Sequence, residues 1–132
     1  MWLDEVGQPS SLKLADNVWV LATVEGIAES TLADALGVDP RLVIDVIDGS
    51  GLNGPYVQTK DPKMIDDDLD TPSFPLDAAA RDAGLITDTA RAAGLHLGIA
   101  EVVRERLRRA ADDGLGRADV AATYRMSRQA AS

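Results

Sequence analysis

Apolar positions dominate the first third of the chain. Val18-Trp-Val-Leu-Ala-Thr-Val24 is apolar on nearly every side, and read alone its β-branched residues would also suit a short strand. The continuation, Glu25 to Leu36, places leucine and alanine at helical spacing and decides for a helix. The pattern predicts one long helix from about residue 10 to 36, capped by Ser10 or Ser11 and stopped by Gly37. A helix with so little polar surface needs cover on several sides. It is expected to be the central element of a domain or part of a subunit interface.

Shorter amphipathic segments follow. Asp39-Pro40 starts a second helix, with Asp as cap and Pro where the missing N–H costs nothing, and Leu42, Val43, Val46 and Ile47 form its apolar face. Residues 49–54 read as a turn, and 56–65 as a short helix or irregular stretch interrupted by Pro62. Residues 66–73 form a polar loop, and a helix from about Pro75 to Ala93 ends at Gly94. Another runs from Leu97 to about Asp113 and ends at Gly114, and a last one begins near Ala118. No segment alternates long enough to be a strand, so the expected class is all-α: one domain of about six helices built on the long first one.

Candidate chemistry begins with Lys13 and Asn17. At i and i+4 they share a helix face, and the same stripe continues through Val20, Val24 and Ile27. A lysine held against an apolar wall loses hydration, which suits it to proton transfer. The competing reading is a lysine whose stem covers apolar surface while its head reaches water.

Composition narrows the partners. The formal charge of −9 argues against nucleic acid, which needs clustered Lys and Arg. The one basic cluster, Arg104, Arg106, Arg108 and Arg109, interleaves with Glu101, Glu105, Asp112 and Asp113 and reads as a solvated helix face with local ion pairs. There is no cysteine, so neither a disulfide nor a thiolate metal site can form, and no apolar run is long enough to cross a bilayer. No leader is read before the first helix, and a cytoplasmic location is expected. His96 is the only histidine and is expected to be structural, with no metal site. The Asp66-Asp67-Asp68 run reads as a solvated loop, because it lacks the glycine and distal glutamate of a calcium loop. Trp2 and Trp19 read as packing residues. Gly49-Ser-Gly51-Leu-Asn-Gly54 matches the dinucleotide fingerprint in letters only. Pro55 follows its last glycine and the preceding stretch carries a helix cap, so a nucleotide role is rejected.

Taken together, several segments resemble the C-terminal domain of the β-hydroxyacid dehydrogenases. That family includes 3-hydroxyisobutyrate dehydrogenase and tartronate semialdehyde reductase, with 6-phosphogluconate dehydrogenase more distant. The matching residues are Gly7 with Lys13-Leu-Ala-Asp-Asn17, then Glu29, Leu32-Ala33 and Gly37-Val-Asp-Pro40. Gly49, Lys60, Pro62, Met64 and Asp66 follow. The last are Pro72-Ser-Phe74-Pro-Leu-Asp77 leading to Arg81-Asp82, and Asp113-Gly-Leu-Gly-Arg-Ala-Asp119-Val-Ala-Ala122.

The resemblance implies that Lys13 is the catalytic acid/base and that Asn17 holds substrate. Where the family usually has a Lys-Asp pair lining the site near substrate and cofactor, this chain has Arg81-Asp82. Arginine keeps the charge but brings a wider, planar fork able to clamp a carboxylate. A local ion pair of Arg81 with Asp77 is the equal alternative. The implied cofactor is NAD or NADP, carried mainly on an N-terminal domain. Residues 1–9 then read as a junction and 10–132 as the substrate-binding, dimerising domain, inactive by itself. The implied partners are a small hydroxyacid and a second copy of the chain, with no nucleic acid or membrane. The alternatives are a non-catalytic helical dimerisation module, or a small-acid-binding domain that has lost its cofactor half.

Overall fold

The computed structural model describes residues 8–52 and 54–128. Gly7 and most of the junction therefore lie outside the described residues, although the first helix is already running at Gln8. Helix α1 (Gln8–Glu29) is followed by the single turn α2 (Leu32–Ala35) and by α3 (Arg41–Asp48), α4 (Pro55–Ile65), α5 (Leu76–Ala92), α6 (Gly98–Ala110) and α7 (Tyr124–Arg128). A π turn at Ala111–Leu115 and a 3-10 turn at Val120–Thr123 link the last two helices. Among the described residues the architecture is all-α, as the sequence pattern predicts. The only extended pairing there is an isolated antiparallel bridge between Pro75 and Asp119.

The glycine stops are where the pattern puts them. Gly37, Gly94 and Gly114 have φ of 79°, 82° and 91°, a region that side-chain-bearing residues avoid. Asp39 likewise accepts the Arg41 N–H at 3.0 Å, as a cap should. The single long first helix is corrected. It breaks at Ser30–Thr31, where the Ser30 hydroxyl donates to the Gly26 carbonyl at 3.2 Å, a local bond that competes with helix continuation. Ser10 and Ser11 lie inside α1, so neither caps it. Pro62 sits within α4 without interrupting it, on a helix pinned by the buried Lys60.

The core gathers where α1, α5, α6 and the 3-10 turn meet. Val24 and Ala28 of α1, Leu76 and Ala79 of α5, Ala110 of α6 and Val120 to Ala122 are fully buried. Burying a side chain the size of Val24 or Leu76 contributes roughly 1.5–3 kcal/mol. Helices α5 and α6 form a hairpin, stitched where Arg104 donates to the Thr87 hydroxyl at 2.7 Å and to Asp88 at 3.0 Å. Helix α3 differs, because none of its residues is buried and Leu42 and Val46 face outward. Trp19 is 79% exposed among the described residues and so does not pack as expected. Trp2 lies outside the described residues.

Candidate active site

The stripe that begins at Lys13 passes from open to closed along α1. Lys13 is exposed, Asn17 and Val20 are half-buried, and Val24 and Ile27 are in the core. The expectation of a lysine dehydrated by its own helical domain is thereby corrected. Helical spacing assigns Lys13 to the same face as the core residues, but among the described residues the packing that half-buries Leu14 and Asn17 does not cover the Lys13 side chain. Among the described residues Lys13 has no side-chain hydrogen bond or ion pair.

Asn17 is tied to α5. Its Nδ2 donates to Asp82 Oδ2 at 3.3 Å, which brings the Lys13-Asn17 segment beside the Arg81-Asp82 segment. A carboxamide has two N–H groups and a carbonyl oxygen, so this bond leaves one donor and one acceptor for a ligand. Below this contact, Val18, Leu21 and Ala22 face Ala83 and Ile86, which fixes α1 against α5. Arg81 is exposed and makes no ion pair with Asp77, so the local alternative is not realised. The structure thus joins Asn17 to Asp82 and leaves Lys13 and Arg81, each a chain neighbour of that contact, exposed. Among the described residues nothing closes over Lys13 or Arg81.

The enclosed ionic chemistry is at other places. Lys60 and Asp119 are both fully buried, with Nζ 2.9 Å from each carboxylate oxygen. Asp119 also accepts from Ala121 N at 2.9 Å and Ser73 N at 3.0 Å, while Lys60 donates to the Ser73 hydroxyl at 2.9 Å. Burial opposes ionisation of Asp119, but the Ala121 N–H, the Lys60 ammonium and the Phe74 N–H outweigh it and hold the carboxyl below the usual range. Bonds from Leu76 N to Ala118 O and from Val120 N to Phe74 O close this junction around Asp119. Every hydrogen-bonding site of the carboxylate is taken, so the pair joins segments and has none left for a substrate.

A second enclosed group is Glu25, which bonds Arg106 and accepts from the Thr123 hydroxyl at 2.6 Å. Burial pushes its carboxyl up, against the opposing pull of Thr123 and Arg106. The basic cluster on α6 is thus only partly a solvated face. Arg108 does pair locally with Glu105 and Asp112, but Arg106 points inward. The acidic run is likewise more than solvated: Asp66 pairs with Arg41 at 2.8 Å, and Asp67 binds Arg125 and the Tyr124 hydroxyl. His96 is exposed, and among the described residues no group of three or more His, Cys, Asp or Glu is placed to hold a metal. Gly49 follows helix α3 instead of a strand, consistent with rejecting the fingerprint there.

A family model described as "NAD-binding of NADP-dependent 3-hydroxyisobutyrate dehydrogenase" matches residues 7–127. The chloroplastic glyoxylate/succinic semialdehyde reductase 2 of Arabidopsis thaliana is 28% identical over 132 residues, covering 99% of this chain and 37% of that protein. The chain thus spans little more than a third of the length of that curated relative. The 3-hydroxyisobutyrate dehydrogenase of Salmonella typhimurium superposes with a TM-score of 0.84 at 25% identity, over 91% of this chain and 42% of that one. The Mycobacterium tuberculosis enzyme of the same name, solved with L-serine, gives 0.80 at 25% identity over 92% and 43%.

Proposed function

Because the chain belongs to the NADP-dependent 3-hydroxyisobutyrate dehydrogenase family, we propose that it is the helical substrate-binding part of an oxidoreductase acting on a small hydroxyacid or its semialdehyde. The observation that supports this reading is the Asn17–Asp82 bond, which brings the Lys13-Asn17 segment of α1 beside the Arg81-Asp82 segment of α5. Names such as glyoxylate/succinic semialdehyde reductase support a short carboxylate substrate with a reducible carbonyl.

The residues fit a nicotinamide cofactor only as one wall of its site. Among the described residues there is no parallel sheet to cradle a dinucleotide, so Arg81 and Asp82 would line it while a separate cofactor domain holds it. That cofactor, NAD or NADP, would supply the hydride from its reduced form and take it back in the oxidative direction. Lys13 does the proton work. As charge builds on the carbonyl oxygen, its ammonium stabilises the oxyanion and gives up a proton from Nζ, leaving an alcohol and a neutral amine. In the oxidative direction the neutral amine takes the hydroxyl proton back. The remaining N–H and carbonyl of Asn17 orient the substrate, and Arg81 clamps its carboxylate with two parallel N–H donors.

An exposed lysine in bulk water is poorly placed for this. That exposure supports a second wall that expels water when the cofactor domain closes over it. Residues 1–9 are then the junction between the two, and this chain alone is inactive. The exposed apolar side chains of Trp19, Ile99 and Val102 also favour pairing with a second copy, and a purely dimerising module is the second reading.

The test is to join the chain to the cofactor domain of a family member and supply short semialdehyde acids with each reduced nicotinamide cofactor. Consumption of the cofactor is expected, with KM raised at least ~10-fold in Arg81→Ala. No turnover with either cofactor, from a protein that remains folded and dimeric, favours the module.

A further inference from the structure

At the other end of α1 from Lys13, about 21 Å along the helix axis at 1.5 Å per residue, lies a cavity of about 240 Å³. It is walled by Ile27 of α1 and by Met64 and Ile65 of α4, with Asp61, Asp34 and Arg128 as its charged groups. Asp61 is the unusual one. It is only 7% exposed, yet it has no hydrogen bond or ion pair with any described residue. Buried carboxylates are ordinarily paired, and an unpaired one costs several kcal/mol. Burial accordingly pushes the Asp61 carboxyl up from the usual aspartate range.

Arg128 does not supply the missing partner. Its guanidinium is 3.6 Å from Asp34 and lies over the Tyr124 ring at 5.1 Å, so it is held at the rim. An anionic ligand would have to break that pair and approach Asp61, a like charge. A metal ion lacks a third ligand among the described residues. The net charge of the lining is −1, from two aspartates and one arginine. The volume is below the roughly 300–1,000 Å³ typical of larger ligands.

We propose that this cavity binds a small primary amine as its ammonium ion, with Asp61 as the counter-ion and Ile27, Met64 and Ile65 against its alkyl chain. The ammonium supplies the hydrogen bonds that Asp61 lacks and neutralises the lining, while the alkyl part leaves water for an apolar wall.

The test is calorimetric titration of the 132-residue chain with n-butylammonium chloride, 1-butanol and sodium butyrate. Saturable one-site binding is expected for butylammonium, at least ~10-fold tighter than for either control, and Asp61→Asn should weaken it at least ~10-fold. Thr31→Trp, at a half-buried position lining the cavity, should block binding without removing the charge and serves if Asp61→Asn does not fold. Equal binding of butanol, unchanged affinity in Thr31→Trp or in a folded Asp61→Asn, or no saturation with butylammonium overturns the proposal. So does sedimentation showing that Asp61→Asn separates copies of the chain while butylammonium leaves them unaffected, since the carboxylate would then answer a protein side chain.

Discussion

Lys13 and Lys60 are the same residue type in two opposite settings. Lys60 is buried with no exposed surface, and its ammonium is held by both oxygens of Asp119 and by Ser73. Lys13 is exposed, uncovered by any described residue, one helical turn from an asparagine that is itself tethered to α5. The enclosed lysine is saturated with partners and has no capacity for a substrate. The open one keeps all its donors. Burial marks Lys60 as a lysine that holds the fold together, and exposure leaves the Lys13 ammonium open to the chemistry proposed for it.

The contrast breaks most sharply at Lys60. Lys60→Met leaves Asp119 buried without its counter-charge and should cost about 3–5 kcal/mol in urea unfolding. A loss under ~1 kcal/mol would mean that Asp119 finds another donor or takes up a proton. Arg106→Met leaves Glu25 with Thr123 as its remaining donor and should cost about 1–3 kcal/mol by the same measurement.

A smaller effect sharpens the comparison through pH. The folded Asp119 carboxyl lies below its unfolded value of about 3.9, so its contribution is present above that value and is lost as pH falls through the folded one. Glu25 has the opposite sign: raised in the fold, it favours the folded state below its unfolded value of about 4.3 and loses that contribution as pH rises through the folded one. The stability lost between pH 4 and pH 2 should therefore shrink in Asp119→Asn, whereas Glu25→Gln should reduce the stability lost as pH rises above about 4.3, as followed by urea unfolding with circular dichroism at each pH. The smallest effect belongs to Lys13, whose replacement by Met should change unfolding by no more than ~0.5 kcal/mol.

Much of the fold is legible in the sequence, because its signals are local. Gly37, Gly94 and Gly114 end their segments, Asp39-Pro40 opens one, and helical spacing identifies α1, α5 and α6. The break at Ser30–Thr31 is hidden by the alanines and leucines that continue beyond it. Periodicity also assigns residues to a face without saying how far along the helix that face is covered. That is why Lys13 and Trp19 read as packed and are exposed. The pair Lys60–Asp119 spans 59 residues, and no spacing rule joins them. A partial signal exists, since Asp before Val-Ala-Ala is a helical cap, and Asp119 does accept from Ala121. Likewise Lys13 and Asn17 are readable as one unit at i and i+4, whereas the link from Asn17 to Asp82 needs the packing of α5.

The central claim, that Lys13 serves chemistry while Lys60 serves structure, is tested most directly by Lys13→Met in the chain joined to a cofactor domain, with turnover and unfolding midpoint measured on the same sample. Turnover should fall at least ~100-fold while the midpoint stays within error of the parent protein. Undiminished turnover, or a collapse of the midpoint together with activity, would contradict it.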